Sequence, residues 1–547
     1  MSGHSKASLA TAPTSPPAPQ QGWFSIFLAL IERLGNLLCH PVTLFACFAL
    51  AVVIVSHIAW LAGIQVADPS PQAEADSMFV ANSLLTPTGI RWISQSLVTN
   101  FTNFAPLGTV LVAMLGVGVA EKSGLLTTAI RALILGAPRR LVTLFVVFAA
   151  VISNTASEMG YVVIIPLAMT LFHSLGRHPL AGMAAAFAGV SGGYSANLFL
   201  GTIDPLLAGI TEEAARLYAP DYEVHPAVNW YFMIVSTLMI TILGTLVTER
   251  IVEPRLGKYD PADGEENLEQ ASLLTPIQPR ERRGLWAAAA AMLLVLAGVL
   301  VLAGPAWMSG LDGLPGFGVL RNPDLAATGA EIYRPLLRSV VAIILLFFVL
   351  PGTVYGAIVG TIRSDRDLID AMAAAMRSMG LYIVLVFFAA QFVAFFNYSG
   401  LGQIFAVWGA DALVRMRLDN PLVFLPFILM CCFVNLMLGS ASAQWSVTAP
   451  VFVPMLMAVG YSPEVIQAAY RIGDSTTNVI TPMMSYYGLI LAVATRYQKN
   501  LGIGTMVATM LPYSAVFLIG WLILFYLWVF ALGLPVGPGA PTYYWQN

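Results

Sequence analysis

Residues 153–158 read SNTASE and residues 439–445 read GSASAQW, each a polar knot inside an otherwise apolar stretch. Each is followed by a second apolar stretch, broken in its turn by glycine, an acid and hydroxyls: SGGYSANLFLGTIDP at 191–205 and GDSTTN at 473–478. In hydrocarbon, non-helical backbone and clustered polar groups are tolerated only where they line a cavity, because no water is present to satisfy them. Two such sets in matching order point to a solute site between two related halves.

Composition fixes the solvent. Of 547 residues, 58% are hydrophobic and 10% charged, and the mean hydropathy is +0.78, whereas water-soluble domains carry roughly 25% charged residues. A net charge of −3 without a basic stripe gives no reason to expect nucleic acid as a partner. Cys39, Cys47, Cys431 and Cys432 sit in apolar segments without metal-ligand spacing and read as small packing residues. The Ser/Ala/Pro-rich opening, residues 1–20, reads as disordered and lacks the form of a signal peptide.

A helix needs about 20 apolar residues to cross a bilayer. Nine stretches qualify as crossings: 38–62, 100–120, 179–206, 228–249, 286–304, 334–350, 378–396, 463–497 and 503–531. Segments 141–152 and 161–172, and the apolar halves flanking Ser440–Trp445, are only about a dozen residues long, a length that favours re-entry over crossing. The expected fold is therefore an all-α polytopic membrane protein with about nine transmembrane helices and two re-entrant helical hairpins, 141–172 and 421–459. With the N-terminus inside, eighteen of the 26 Lys+Arg fall in inside loops, including Lys6, Lys122, Lys258 and Lys499. That bias sets the orientation, with Glu249–Arg283 as the main cytoplasmic loop.

Following the chain from this start, 100–120 comes in, hairpin 141–172 enters from inside, the broken span 179–206 goes out and 228–249 returns. Later, 378–396 goes out, hairpin 421–459 enters from outside, the broken span 463–497 comes in and 503–531 goes out. The order repeats with every direction reversed, an inverted-topology repeat whose shared interface holds substrate and ions. The chain divides accordingly into a tail (1–37), a scaffold span with its outer loop (38–99), repeat 1 (100–250), a cytoplasmic loop (251–285), scaffold spans (286–377), repeat 2 (378–531) and a C-terminal tail (532–547).

Arg471 and Asp474, three apart, share a helix face and are placed to neutralise each other. Such a pair is either a brace for the broken helix or a substrate and ion site. The hydroxyl run Ser475–Asn478 directly after it favours the site, since charges within the membrane are functional by default. In that role Arg471 clamps a carboxylate with its fork, and Asp474 ligates sodium or carries a proton. Asp204, immediately before Pro205, either caps a helix end at the outer surface or carries the coupling proton or cation. Glu158 is a functional candidate or bonds local backbone amides.

The tip residues Ser153, Asn154, Thr155, Ser440 and Ser442, with freed carbonyls, supply the hard oxygens that alkali cations prefer. Ser475 and Asn478 extend that set, and Asn154, Ser440 and Asp474 are the candidate sodium ligands. Small hydroxyl residues also act as helix–helix glue, but two tips in equivalent positions favour a site. Asn435, Asn478 and Asn197 join by their amides. Trp445 and Pro463 either shape the pocket or serve as packing and bend residues, and Met483–Met484 is core filling.

The strings SNTASEMGYVVIIPLAM, SGGYSANLFLGTIDPLLAGITEEAA, GSASAQWSVTAPVFVPM and AYRIGDSTTNVITPMMSYYGL, with the span order, resemble the AbgT family of p-aminobenzoyl-glutamate transporters. The resemblance covers nearly the whole chain apart from the N-terminal tail and loop 251–284. It implies a homodimeric secondary transporter of the bacterial inner membrane, similar in architecture to divalent-anion/sodium symporters. The implied activity is ion-coupled movement of p-aminobenzoyl-glutamate or efflux of sulfonamide antimetabolites, with no cofactor beyond the coupling ion, Na+ or H+. Carried onto this chain, the pocket residues are Asp204, Asn435, Trp445, Pro463, Arg471 and Asp474. An aminobenzoyl ring then stacks on Trp445, while glutamyl carboxylates suit Arg471 and helix N-termini.

Two other readings compete. A sodium/dicarboxylate symporter shares the architecture. An intramembrane aspartyl hydrolase would pair Asp204 with Asp474, although neither lies in a Gly-x-Gly-Asp setting. A serine hydrolase lacks a nearby histidine, and an ATP-driven pump lacks the G-x-x-x-x-G-K-[ST] loop.

Overall fold

Apolar runs in hydrocarbon must satisfy their own backbone groups, so they form helices. The computed structural model describes residues 41–67, 77–156, 159–261, 264, 275–311, 313–324, 327, 329–499 and 501–544. Among these, the one sheet is an antiparallel ribbon of Gln65–Ala67 with Met78–Val80. Nine helical stretches of the described residues are long and apolar enough to cross a membrane: Pro41–Leu61, Pro87–Lys122, Trp230–Leu256, Pro279–Ala303, Val340–Val359, Gly380–Tyr398, Pro421–Leu438, Ala441–Val459 and Ile503–Ala531. The all-α polytopic architecture is thus the one expected. The N-terminal tail, Glu158 and most of loop 262–274 lie outside the described residues.

Several boundaries differ from expectation, each for a local reason. Seven of the nine stretches match expected crossings; the other two are the arms of the second hairpin. Those arms run to 18 and 19 residues rather than a dozen, so length does not separate them from spans. The span expected at 334–350 is Val340–Val359, because Arg334–Arg338 forms a separate turn of helix. The span expected at 286–304 begins at Pro279, where a Gln278/Glu281 capping box starts the helix early. Amphipathic Asp365–Ser378 and the Leu401–Arg415 helix were not anticipated.

The two interruptions that decide the fold take the same form. The first hairpin is Val142–Ile152, a tight turn at Ser153–Ala156 and Met159–Ser174. The first broken span runs Pro179–Phe187, continues as a wider turn over Ala188–Gly192, breaks at 193–202 and resumes at Ile203–Ala215. The second hairpin reverses at Gly439, whose φ of +57° suits glycine. The second broken span is Pro463–Asn478, a break at 479–486 and Tyr487–Thr495.

Each tip docks on the break of its own half. A Cβ on Gly201 would sit 3.0 Å from Thr155 Cα, and one on Gly439 would sit 2.9 Å from the Met483 carbonyl carbon. The halves also interlock. The Ala441–Val459 arm packs along Ile203–Ala215, and Trp230–Val247 lies between Val142–Ile152 and Ile503–Phe525. Pro279–Ala303 stands outermost, packed on Val340–Val359.

Close approach of Phe424–Leu438 to Pro463–Asn478 holds Arg471 and Asp474 in place, and it depends on Gly473. A Cβ there would meet Cys431 Cβ at 2.5 Å and the Ile428 carbonyl oxygen at 2.8 Å. Gly473→Ala is expected to cost ~1–3 kcal/mol through overpacking and to lower the unfolding temperature in detergent. Gly488→Ala, with nothing within 4 Å, should not lower it. Equal unfolding temperatures for the two variants would contradict this packing.

Candidate functional site

Pro463–Asn478 is the most polar of the interior helices, and every one of its residues is buried. Ser462 caps it by accepting from the Val465 amide, and Pro463 occupies its first position, where a missing N–H costs nothing. A buried polar helix must find partners for its side chains or forfeit their hydration. It finds them on the other half of the molecule.

Arg471 Nη2 donates to Asp204 Oδ1 at 2.7 Å, with the two side chains 2% and 0% exposed. Asp204 Oδ2 accepts the Gly201 amide at 2.7 Å, so its carboxylate is held at the start of the resumed helix Ile203–Ala215. Arg471 Nε donates to Asn229 Oδ1 at 3.1 Å. That same oxygen accepts Gln467 Nε2 at 2.7 Å, while Asn229 Nδ2 donates to the Glu464 carbonyl at 2.8 Å. The Thr211 hydroxyl reaches Gln467 Oε1 at 2.5 Å and accepts Trp445 Nε1 at 2.9 Å.

Two expectations change here. Arg471 is paired with Asp204 and not with Asp474, because a carboxylate from the facing helix reaches the guanidinium directly. Asp204 is not a cap at the outer surface: the broken span continues to Ala215 and leaves it in the interior. An aspartyl-hydrolase pairing of Asp204 with Asp474 falls with the same contact.

Asp474 is fully buried, and neither carboxylate oxygen has a hydrogen-bond donor. Asn435 Nδ2 donates to the Asp474 carbonyl (2.7 Å), Thr477 Oγ1 (2.9 Å) and Asn478 Oδ1 (2.9 Å), which leaves Asn435 Oδ1 without a partner. Gln444 Oε1, one turn into the second arm, is likewise unpartnered. Donor-less buried oxygens are costly, and a group of them is a suitable setting for a hard cation.

At the first tip the hydroxyls are engaged. Ser153 Oγ donates to the Ala150 carbonyl (2.6 Å), Thr155 Oγ1 to Asn197 Oδ1 (2.8 Å) and Asn154 Nδ2 to the Gly193 carbonyl (3.2 Å). Asn154 Oδ1 has no partner. The candidate sodium ligands are therefore divided between tips, Asn154 on the first and Ser440 with Asp474 in the second half. The first break touches the last turn of Pro463–Asn478, the Ser195 amide donating to Ser475 Oγ at 3.0 Å.

A cavity of about 450 Å3 opens between the halves, within the 300–1,000 Å3 common for small-molecule sites. From the expected residues, Ser440, Ser442 and Asn478 line it. Trp445 does not. It is fully buried and stacks on Tyr470 with ring centroids 4.2 Å apart. Asn229, Gln467 and Thr211 were missed in the sequence. Gln467 stands four residues before Arg471 on the same helical face, which was a usable signal, but Asn229 looks like any residue before a helix.

The profile of the AbgT putative transporter family matches residues 26–544. The p-aminobenzoyl-glutamate transport protein of Escherichia coli (strain K12) is 34% identical over 509 residues, 93% of this chain and 95% of that one. The solved structure of Neisseria gonorrhoeae MtrF, described as illuminating a class of antimetabolite efflux pumps, is 53% identical with a TM-score of 0.86, covering 94% of this chain and all of the other. The Alcanivorax borkumensis YdaH transporter, described as having an unusual topology, is 42% identical with a TM-score of 0.82, covering 91% and 100%.

Breaking a buried ion pair from one side strands a charge and costs ~3–5 kcal/mol, whereas replacing both partners by apolar groups is often neutral. Asp204→Asn should therefore lower both flux and the unfolding temperature. Asp204→Leu with Arg471→Met should restore the unfolding temperature and leave flux abolished. Wild-type flux in the double variant would contradict a functional role for the pair.

Proposed function

Because the chain belongs to the AbgT transporter family, and is a transporter rather than an enzyme, we propose that it is an ion-coupled secondary transporter of aminobenzoyl compounds. Its solutes are p-aminobenzoyl-glutamate-like molecules or sulfonamide antimetabolites, which share a p-aminophenyl half. The names of its relatives support those classes. The observation that carries the reading is the buried Arg471–Asp204 pair, which joins the helix before the second break to the start of the helix after the first.

Arg471 Nη1 is buried without a hydrogen-bond partner. It is the donor through which a solute carboxylate or sulfonyl oxygen competes for the guanidinium. Asp474, with Asn435 Oδ1 and Gln444 Oε1 near the second tip, takes the coupling cation, as sodium on the oxygen set or as a proton on the carboxylate. Loading either one changes the charge balance around Arg471. The repeated order of hairpin, broken span and closing helix supports an inverted repeat and alternating access around this fixed site. The lysine and arginine bias supports a cytoplasmic N-terminus in the bacterial inner membrane. Trp286, Leu293 and Leu294 on the outermost helix are 65–74% exposed, which supports a homodimer that uses the scaffold spans, since large bare apolar patches mark lipid or partner surfaces.

Proteoliposomes test this, loaded with p-aminobenzoyl-glutamate or a sulfonamide under separately imposed sodium and proton gradients. One gradient is expected to drive solute against its own concentration difference, and Asp474→Asn should abolish that coupling. Flux that only follows the solute's own gradient in the wild type would overturn the proposal.

A further inference from the structure

The cavity wall carries a cluster of aromatic rings. Tyr161, Tyr194 and Tyr486 all line it, together with Tyr382. They come from different parts of the fold: Tyr161 from the second arm of the first hairpin, Tyr194 from the first break, Tyr486 from the second break and Tyr382 from Gly380–Tyr398. Tyr161 and Tyr486 stack nearly parallel across the boundary between the halves, with centroids 5.0 Å apart and planes 5° apart. Tyr382 is fixed by donating its hydroxyl to the Pro106 carbonyl at 2.8 Å.

We propose that the tyrosine wall formed by Tyr161, Tyr194 and Tyr486 is the subsite for the aromatic ring of the solute, in place of Trp445. This rests on the reading that the solute carries an aminobenzoyl or sulfanilyl ring. Trp445 has no exposed surface and does not line the cavity. The tyrosines, by contrast, border a cavity of sufficient volume. Phenol rings offer faces and edges to a second ring at centroid distances of about 4.5–7 Å. Ser440, Ser442 and Asn478 on the same wall meet the polar end of the molecule.

The placement carries a functional consequence. Because Tyr161 belongs to the first half and Tyr486 to the second, a ring seated against the edges of their stack touches both. Ring binding thereby couples to the relative position of the halves, and a solute without an aromatic ring binds without that contact. The polar end alone does not discriminate a flat ring from a puckered one; the tyrosine faces do.

The test compares p-aminobenzoyl-glutamate with its 4-hydroxycyclohexanecarbonyl analogue, which keeps both carboxylates and a neutral polar para group and loses aromaticity. Equilibrium binding to purified protein is read as the ratio of the two Kd values. Wild type is expected to favour the aromatic ligand about tenfold or more, as stacking against two rings implies. Tyr161→Ala and Tyr486→Ala should collapse the ratio toward one, and Tyr161→Phe and Tyr486→Phe should keep it. Tyr161→Leu and Tyr486→Leu, which preserve apolar bulk, supply the same readout should an alanine variant fail to fold. An unchanged ratio in folded alanine or leucine variants, with wild-type binding intact, overturns the subsite and leaves the transport reading standing. A wild type that binds neither compound overturns both.

Discussion

A guanidinium and a carboxylate removed from water are tolerable only when they find each other and when their remaining lone pairs and protons are used. Arg471 and Asp204 find each other from opposite halves of the chain, 267 residues apart in sequence, and of their polar side-chain atoms only Arg471 Nη1 is left without a partner. The Gly201 amide completes the carboxylate, and Asn229 takes one edge of the guanidinium. The cost of leaving either charge alone holds Pro463–Asn478 against the start of Ile203–Ala215, while each hairpin tip packs on the break of its own half.

The fold was legible because hydrocarbon imposes a severe rule on backbone. SNTASE and GSASAQW stand out only because polar residues in an apolar run need a reason, and the reason is a turn within the protein interior. Helix length was less informative. The second hairpin's arms are long enough to cross, Phe424–Leu438 lying along Pro463–Asn478 and Ala441–Val459 along Leu401–Arg415 and Ile203–Ala215. Amphipathic Asp365–Ser378 escaped attention because a half-polar helix gives no crossing signal.

The site was legible in its residues and less so in its pairings. Spacing along one helix suggested Arg471 with Asp474, whereas the shortest route between opposite charges ran to a different helix. Which carboxylate an arginine selects depends on tertiary approach, and here on glycines such as Gly473 that let helices close to backbone contact. Asp474 is left with two donor-less oxygens beside Asn435, a placement that a local ion pair would have concealed.

The proposed transport turns on two broken spans that touch each other and part as the site changes access. The contact between the Ser195 amide and Ser475 Oγ offers the most direct test. In a background with the four native cysteines replaced, Ser195→Cys with Ser475→Cys should cross-link on oxidation, and gradient-driven flux should stop and return on reduction. Full flux from quantitatively cross-linked protein would contradict the account.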